Sequence, residues 1–132
     1  MGGRIAVTLV IDASALLAIQ FGERGADVAI AHCRGASLSA VNLDEVLHKG
    51  VLRGIPADVI EDQIRRLQIA IVPFTVDHAR VAAGLHPRLH RANTSFADRA
   101  CMALALVERC PVLTADRKWA DLDMGVELIL IR

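Results

Sequence analysis

Residues 8–18 read Thr-Leu-Val-Ile-Asp-Ala-Ser-Ala-Leu-Leu-Ala. Val7 and Leu9 to Ile11 carry strongly apolar side chains straight into Asp12, and the chain turns apolar again within three residues. A short, continuously aliphatic run is the pattern of a strand buried on both faces; strict alternation would mark a strand with one face in water. Asp12 therefore follows a buried strand directly and opens a helix. There it can cap the free N–H groups of the first helical turn, or it can be a carboxylate held at the end of a rigid strand. The stretch alone leaves both readings open.

Working outward, the same alternation recurs along the chain. Aliphatic runs at Ala6 to Ile11, Ala36 to Ser39, Ala70 to Phe74, Pro111 to Thr114 and Val126 to Ile131 are expected strands. Helices are expected at Ser14 to Gln20, Arg24 to Cys33, Val41 to Arg53, Ala57 to Gln68, Val76 to Leu89 (with a break near Gly84 and Pro87) and Ala97 to Arg109. Gly54 follows the third of these and Pro56 opens the fourth, the usual punctuation of helix ends. The expected architecture is α/β, a three-layer αβα sandwich around a central, mostly parallel sheet of about five strands. The 132 residues fit a single domain, 1–132. Such a sheet binds ligands beyond the C-terminal ends of its strands, where the strand order reverses, and that crevice is where Asp12 is expected.

Composition narrows the function. Fifteen basic residues balance fifteen acidic ones, so any attraction for nucleic acid must come from local patches. The core is aliphatic, since only Trp119 and three phenylalanines are aromatic and tyrosine is absent. Three widely spaced cysteines, Cys33, Cys101 and Cys110, show neither a zinc nor a redox spacing. Cys101 and Cys110 sit among aliphatics and read as small buried hydrophobes. No uncharged run reaches the ~18 residues of a membrane helix, and a soluble cytoplasmic protein in a reducing compartment is expected. The five histidines show no ligand spacing.

Four acids stand out. Asp12 and Asp116 each follow an expected strand, while Glu45 and Asp98 lie in early turns of expected helices. Each has a local reading. Asp98 can form a capping box with Ser95, Asp116 can cap a short turn, and Glu45 can pair with Lys49 four residues on, worth only ~0.2–0.5 kcal/mol. Together, carboxylates converging on one crevice would repel one another unless cations neutralise them. Oxygen ligands without histidine or cysteine suit Mg²⁺ or Mn²⁺, and one or two such ions can polarise a phosphodiester and steady its leaving oxygen. Asp44, next to Glu45, could pair similarly with His48, while Glu45 shares a polar helical stripe with Asn42 and Lys49, apart from that of Val46, Val51 and Leu52.

In order and spacing, "VIDASALLA" (10–18), "SAVNLDEVLHKG" (39–50), "FADRACMALA" (96–105) and "VLTADRKWADL" (112–122) resemble the acidic motifs of PIN-domain nucleases, and most closely VapC-type toxins of type II toxin–antitoxin systems. The resemblance extends from about residue 7 to the C-terminus. It implies that Asp12, Glu45, Asp98 and Asp116 form a metal-binding catalytic quartet, with Ser14, Asn42 and Thr114 as polar neighbours that orient it. The family spacing favours Glu45 over Asp44. It implies a Mg²⁺- or Mn²⁺-dependent endoribonuclease, a cognate VapB-type antitoxin whose C-terminal segment lies across the site, and a homodimer. The alternative is a catalytically inactive PIN-like module that acts by binding a partner. Asp121, just after the fourth motif, is a further candidate to assist the site.

RNA phosphates would be held by Arg88 and Arg91 in the cationic segment 86–91 and by Arg99, Arg117 and Lys118 beside the acids. The scarcity of aromatics speaks against an extended base-stacking platform. The stretch from Leu16 to Phe21 has two readings: core packing, or an apolar groove in which part of it, Leu16, Leu17 and Phe21, receives the antitoxin. Val59, Ile60, Ile64 and Leu67 are expected to form its opposite wall or a dimer contact.

Overall fold

The structure, a computed structural model, describes residues 8–85, 94–122 and 124–132. Its strands are β1 (Val10–Ile11), β2 (Ser37–Ser39), β3 (Ala70–Val72), β4 (Val112–Thr114) and β5 (Leu128–Leu130). They form one five-stranded sheet in the order β3-β2-β1-β4-β5. Every pairing is parallel, with Val10 opposite Ser37 on one side and Val112 on the other. The helices among the described residues are α1 (Ala13–Phe21), α2 (Ala26–His32), α3 (Ala40–Leu52), α4 (Ala57–Arg66), α5 (Val76–Gly84) and α6 (Phe96–Glu108), with a 3-10 turn at Arg117–Asp121.

Alternation along β1 builds the three layers. Leu9 and Ile11, with Leu38 and Leu113, pack against Leu16, Val46, Ile60 and Ile64 of the α1–α4 layer. Val10 and Val112 point to the other face, against Leu85, Cys101, Met102 and Leu104 of the α5–α6 layer. Both faces of the central strands are thus buried, which is why β1 and β4 are aliphatic at consecutive positions. The expected elements all form. Those in the described segments end within a few residues of the expected positions, and the sheet is wholly parallel. The part of the fifth expected helix beyond residue 85 lies outside the described residues. No helix among the described residues is long and apolar enough to cross a membrane.

The helical layer corrects two expectations. Ile60 and Ile64 are buried in the core, so on α4 only Val59, exposed, and Leu67, half-buried, are available to a partner. On α3 the buried face runs through Asn42, Val46 and Gly50, and Val51 and Leu52 project into solvent. Gly50 explains the shift: a Cβ there would collide with the Ile60 side chain. α3 and α4 meet at a residue without a side chain, while Val51 and Leu52 stay exposed.

Candidate metal centre

The strand order reverses between β1 and β4, since the chain steps outward from β1 to β2 and β3 and then returns beside β1 as β4. Asp12 ends β1 and Asp116 follows β4 by two residues, so both stand at the crevice that such a reversal opens.

Asp12 occupies the N-cap position of α1, but its carboxylate caps nothing. Instead Oδ2 accepts the Ser14 hydroxyl at 2.6 Å and the Thr114 hydroxyl at 2.9 Å. Those two hydroxyls lie 3.2 Å apart and accept in turn from the backbone of the segment after β4: Ala115 N–H donates to Ser14 Oγ at 2.9 Å and Asp116 N–H to Thr114 Oγ1 at 3.0 Å. The Asp12 N–H donates to the Leu113 carbonyl at 2.9 Å. Asp12 is 4% exposed. Burial pushes its carboxyl up to about 6; the two hydroxyls work against that rise, and the charges of Asp98 and Glu45 add to it.

Asp98 enters from the first turn of α6 in a complete capping box. Its Oδ2 accepts the Ser95 N–H at 3.0 Å while Ser95 Oγ accepts the Asp98 N–H at 3.1 Å. Burial raises this carboxyl above the usual range, the Ser95 N–H opposes the rise, and the charges of Glu45 and Asp116 reinforce it. Glu45, on α3, pairs with Lys49 at 3.4 Å. Asp116 Oδ1 accepts the Lys118 N–H at 3.0 Å at the start of the 3-10 turn. Asn42 is fully buried and donates through Nδ2 to the Ala97 carbonyl at 3.0 Å, so it ties α3 to the start of α6 and does not touch a carboxylate. Its Oδ1 is buried without a partner.

Asp12 thus feels the charges of Asp98 and Glu45, and Asp98 those of Glu45 and Asp116, yet Glu45, Asp98 and Asp116 also satisfy the local roles that the sequence allows. Among the described residues no three carboxylate, imidazole or thiol side chains meet around one point. The donor set nevertheless fits a hard cation, being all oxygen with one member buried and destabilised as an anion. The competing local contacts are weak or compatible: the Glu45–Lys49 pair is worth ~0.2–0.5 kcal/mol, and a carboxylate that accepts a capping N–H keeps other lone pairs free.

Of the expected RNA contacts, Arg117 and Lys118 are exposed on the 3-10 turn, as is Asp121. Arg99 is half-buried, 5.8 Å from the Phe96 ring centre. Arg88 and Arg91 lie outside the described residues. Leu16 is only 1% exposed and belongs to the core, which removes it from the expected groove. Leu17 and Phe21 do line a cavity of about 400 Å³ between α1 and α3. Sequence reading missed Arg53, which shares that cavity. Nothing in local spacing relates residue 53 to residue 21, so no signal was there to find.

The model of one family, the PIN domain, matches residues 9–124. The chain belongs to the PIN-domain family. In fold, this PIN domain is similar to a chain of a toxin–antitoxin complex from Klebsiella pneumoniae, with 17% identity and a TM-score of 0.70 over 96% of this chain and 98% of that one. It is similar to a chain of DNA-bound VapBC from Salmonella typhimurium, with 11% identity and a TM-score of 0.73 over 96% and 100%. A chain of VapBC-5 from Mycobacterium tuberculosis is 27% identical, with a TM-score of 0.61 over 96% and 99%. Comparison with curated protein sequences returns no match. The likeness to VapC-type PIN domains drawn from the four motifs is borne out by the family match and, in fold, by these neighbours.

Proposed function

We propose that this PIN domain is a Mg²⁺- or Mn²⁺-dependent endoribonuclease toxin restrained by a cognate antitoxin. The observation that carries the reading is the buried Asp12 carboxyl at the reversal point of the sheet, raised further by the charges of Asp98 and Glu45, while Asp98 in turn feels Glu45 and Asp116. Asp12, Asp98, Glu45 and Asp116 would hold the cation, which supplies charge to polarise the phosphodiester and to stabilise its leaving oxygen.

The chain's own residues do the positioning. The Ser14 and Thr114 hydroxyls fix Asp12 Oδ2, so the buried carboxylate has one orientation. The capping box fixes Asp98, and Asn42 fixes the helix that carries it. Exposed Arg117 and Lys118, with Arg99, offer positive charge to RNA phosphates beside the acids. The antitoxin, VapB-type by the likeness to VapBC complexes, would lie over the crevice and keep RNA out, and the toxin would act as a homodimer.

A second reading is a PIN-like binding module without activity. The local partners that occupy Glu45, Asp98 and Asp116 favour it. The test compares antitoxin-free wild type with Asp12→Asn for cleavage of total RNA in Mg²⁺ and for growth arrest on expression. Cleavage and arrest by wild type alone are expected. Equal activity of the two proteins contradicts the assignment of Asp12, and inactivity of both favours the binding module.

A further inference from the structure

The cavity between α1 and α3 opens one side chain away from the carboxylates. Ser14 lines it and donates to Asp12, and Lys49 lines it and pairs with Glu45. Its volume of about 400 Å³ suits a small ligand. Leu17 is nearly buried, and Leu52, 73% exposed, is an apolar side chain with nothing to cover it. The exposed Arg53 guanidinium rests on the Phe21 ring, 3.9 Å from its centre. The other charges here are paired: Arg132 lies 3.7 Å from Glu23, and Lys49 3.4 Å from Glu45. Arg53 has no carboxylate partner among the described residues. It is a flat cation, supported from below by an aromatic ring and left with its charge unspent.

We propose that this cavity seats one nucleotide of single-stranded RNA next to the acids, with the base stacked on the Arg53 guanidinium, its edge against Leu17 and Leu52, and its phosphate near Lys49. Splayed bases stack on guanidinium planes as they do on aromatic rings, and such stacking tolerates any base. Charge favours RNA over a protein segment, because an apolar peptide would cover Leu52 and leave Arg53 unpaired. The scarcity of aromatics fits as well, since a platform for one base needs only one supported guanidinium. The proposal rests on the ribonuclease reading and adds to it where the strand lies. It also gives the antitoxin a direct way to inhibit, because a segment across Leu17 and Phe21 would occupy the nucleotide's place.

The test measures fluorescence anisotropy of a labelled single-stranded RNA oligonucleotide in Mg²⁺, using the full chain with Asp12→Asn so that the RNA stays intact. Adding Arg53→Ala should weaken binding roughly 5- to 150-fold, the span of one stacked base. Arg53→Lys, which keeps the charge and loses the plane, should not restore it. Replacing the contacted nucleotide by an abasic one should erase the difference between the parent and Arg53→Ala. Arg65→Ala, which removes an exposed cation of α4, should change nothing, and melting curves should show all variants folded. Indistinguishable binding by the parent and Arg53→Ala, or full recovery in Arg53→Lys, overturns the subsite. Cleavage by the unsubstituted chain decides the nuclease reading separately.

Discussion

At the scale of single residues, Asp12 is the feature that folding alone would not choose. Its carboxyl is pushed from 3.8 to about 6, first by burial, so in the folded state the protonated form is favoured relative to the unfolded chain. The sign of the pH effect follows: below pH 4 both states hold the proton and the penalty vanishes. As pH rises to 6 and beyond, the unfolded chain ionises more easily, and folding loses on the order of 3 kcal/mol. In EDTA, Asp12→Asn should therefore melt at a higher temperature than wild type at pH 7.5, by several degrees, and the gap should shrink toward pH 4. An asparagine can still accept both hydroxyls through its Oδ1. A lower melting temperature for Asp12→Asn at pH 7.5 would contradict the destabilised carboxylate. Thr114 supports the same group from a fully buried position. Thr114→Val keeps the shape and removes the hydroxyl, and should lower Mn²⁺ affinity about 10- to 100-fold while the fold survives, as calorimetric titration and circular dichroism would show together.

At the scale of elements, tight backbone approaches set where the layers sit. Gly25 precedes α2 with φ +94°, and a Cβ there would lie 2.6 Å from the Ile131 carbonyl oxygen at the end of β5. Gly25→Ala should cost about 2 kcal/mol or more and lower the melting temperature by several degrees; an unchanged value would show that α2 is not locked to that strand. Contacts of this kind are also where sequence reading reached its limit. The strands were legible because Val10, Ile11, Val112 and Leu113 are aliphatic at consecutive positions, and the helix ends because Ser95, Gly54 and Pro56 punctuate them. The partner-facing side of α3 was not legible. Gly50 and Asn42 carry its buried face, and an amphipathic pattern cannot reveal a contact made by a missing side chain. For Leu16 the error was one of degree: apolarity marks a buried surface but does not separate core from groove, and only packing shows that Leu17 faces the cavity while Leu16 does not.

At the scale of the whole molecule, the strand order brings Asp12 and Asp116 to the same end of neighbouring strands. β1 lies in the middle of five parallel strands, hydrogen-bonded on both sides, and β4 joins it where the direction of winding reverses. The end of β1 carries Asp12, the segment after β4 carries Asp116, and α3 and α6 bring Glu45 and Asp98 from different layers. The four motifs were legible as a set because their order and spacing survive in sequence, with Asp12 and Asp116 after strands and Glu45 and Asp98 on helices. Ser14 and Thr114 were reached as neighbours of Asp12 through the resemblance; nothing local relates the Thr114 hydroxyl to the Asp12 carboxylate 102 positions away. The chain as a whole carries no net charge, so the proposed divalent ion would answer a local grouping of acids. The most direct measurement is calorimetric titration of Mn²⁺ into the antitoxin-free protein and into Asp12→Asn, at neutral pH. A metal ligand at Asp12 means saturable binding by wild type and at least about tenfold weaker binding by the variant. Equal affinities, or no binding by wild type, would contradict it.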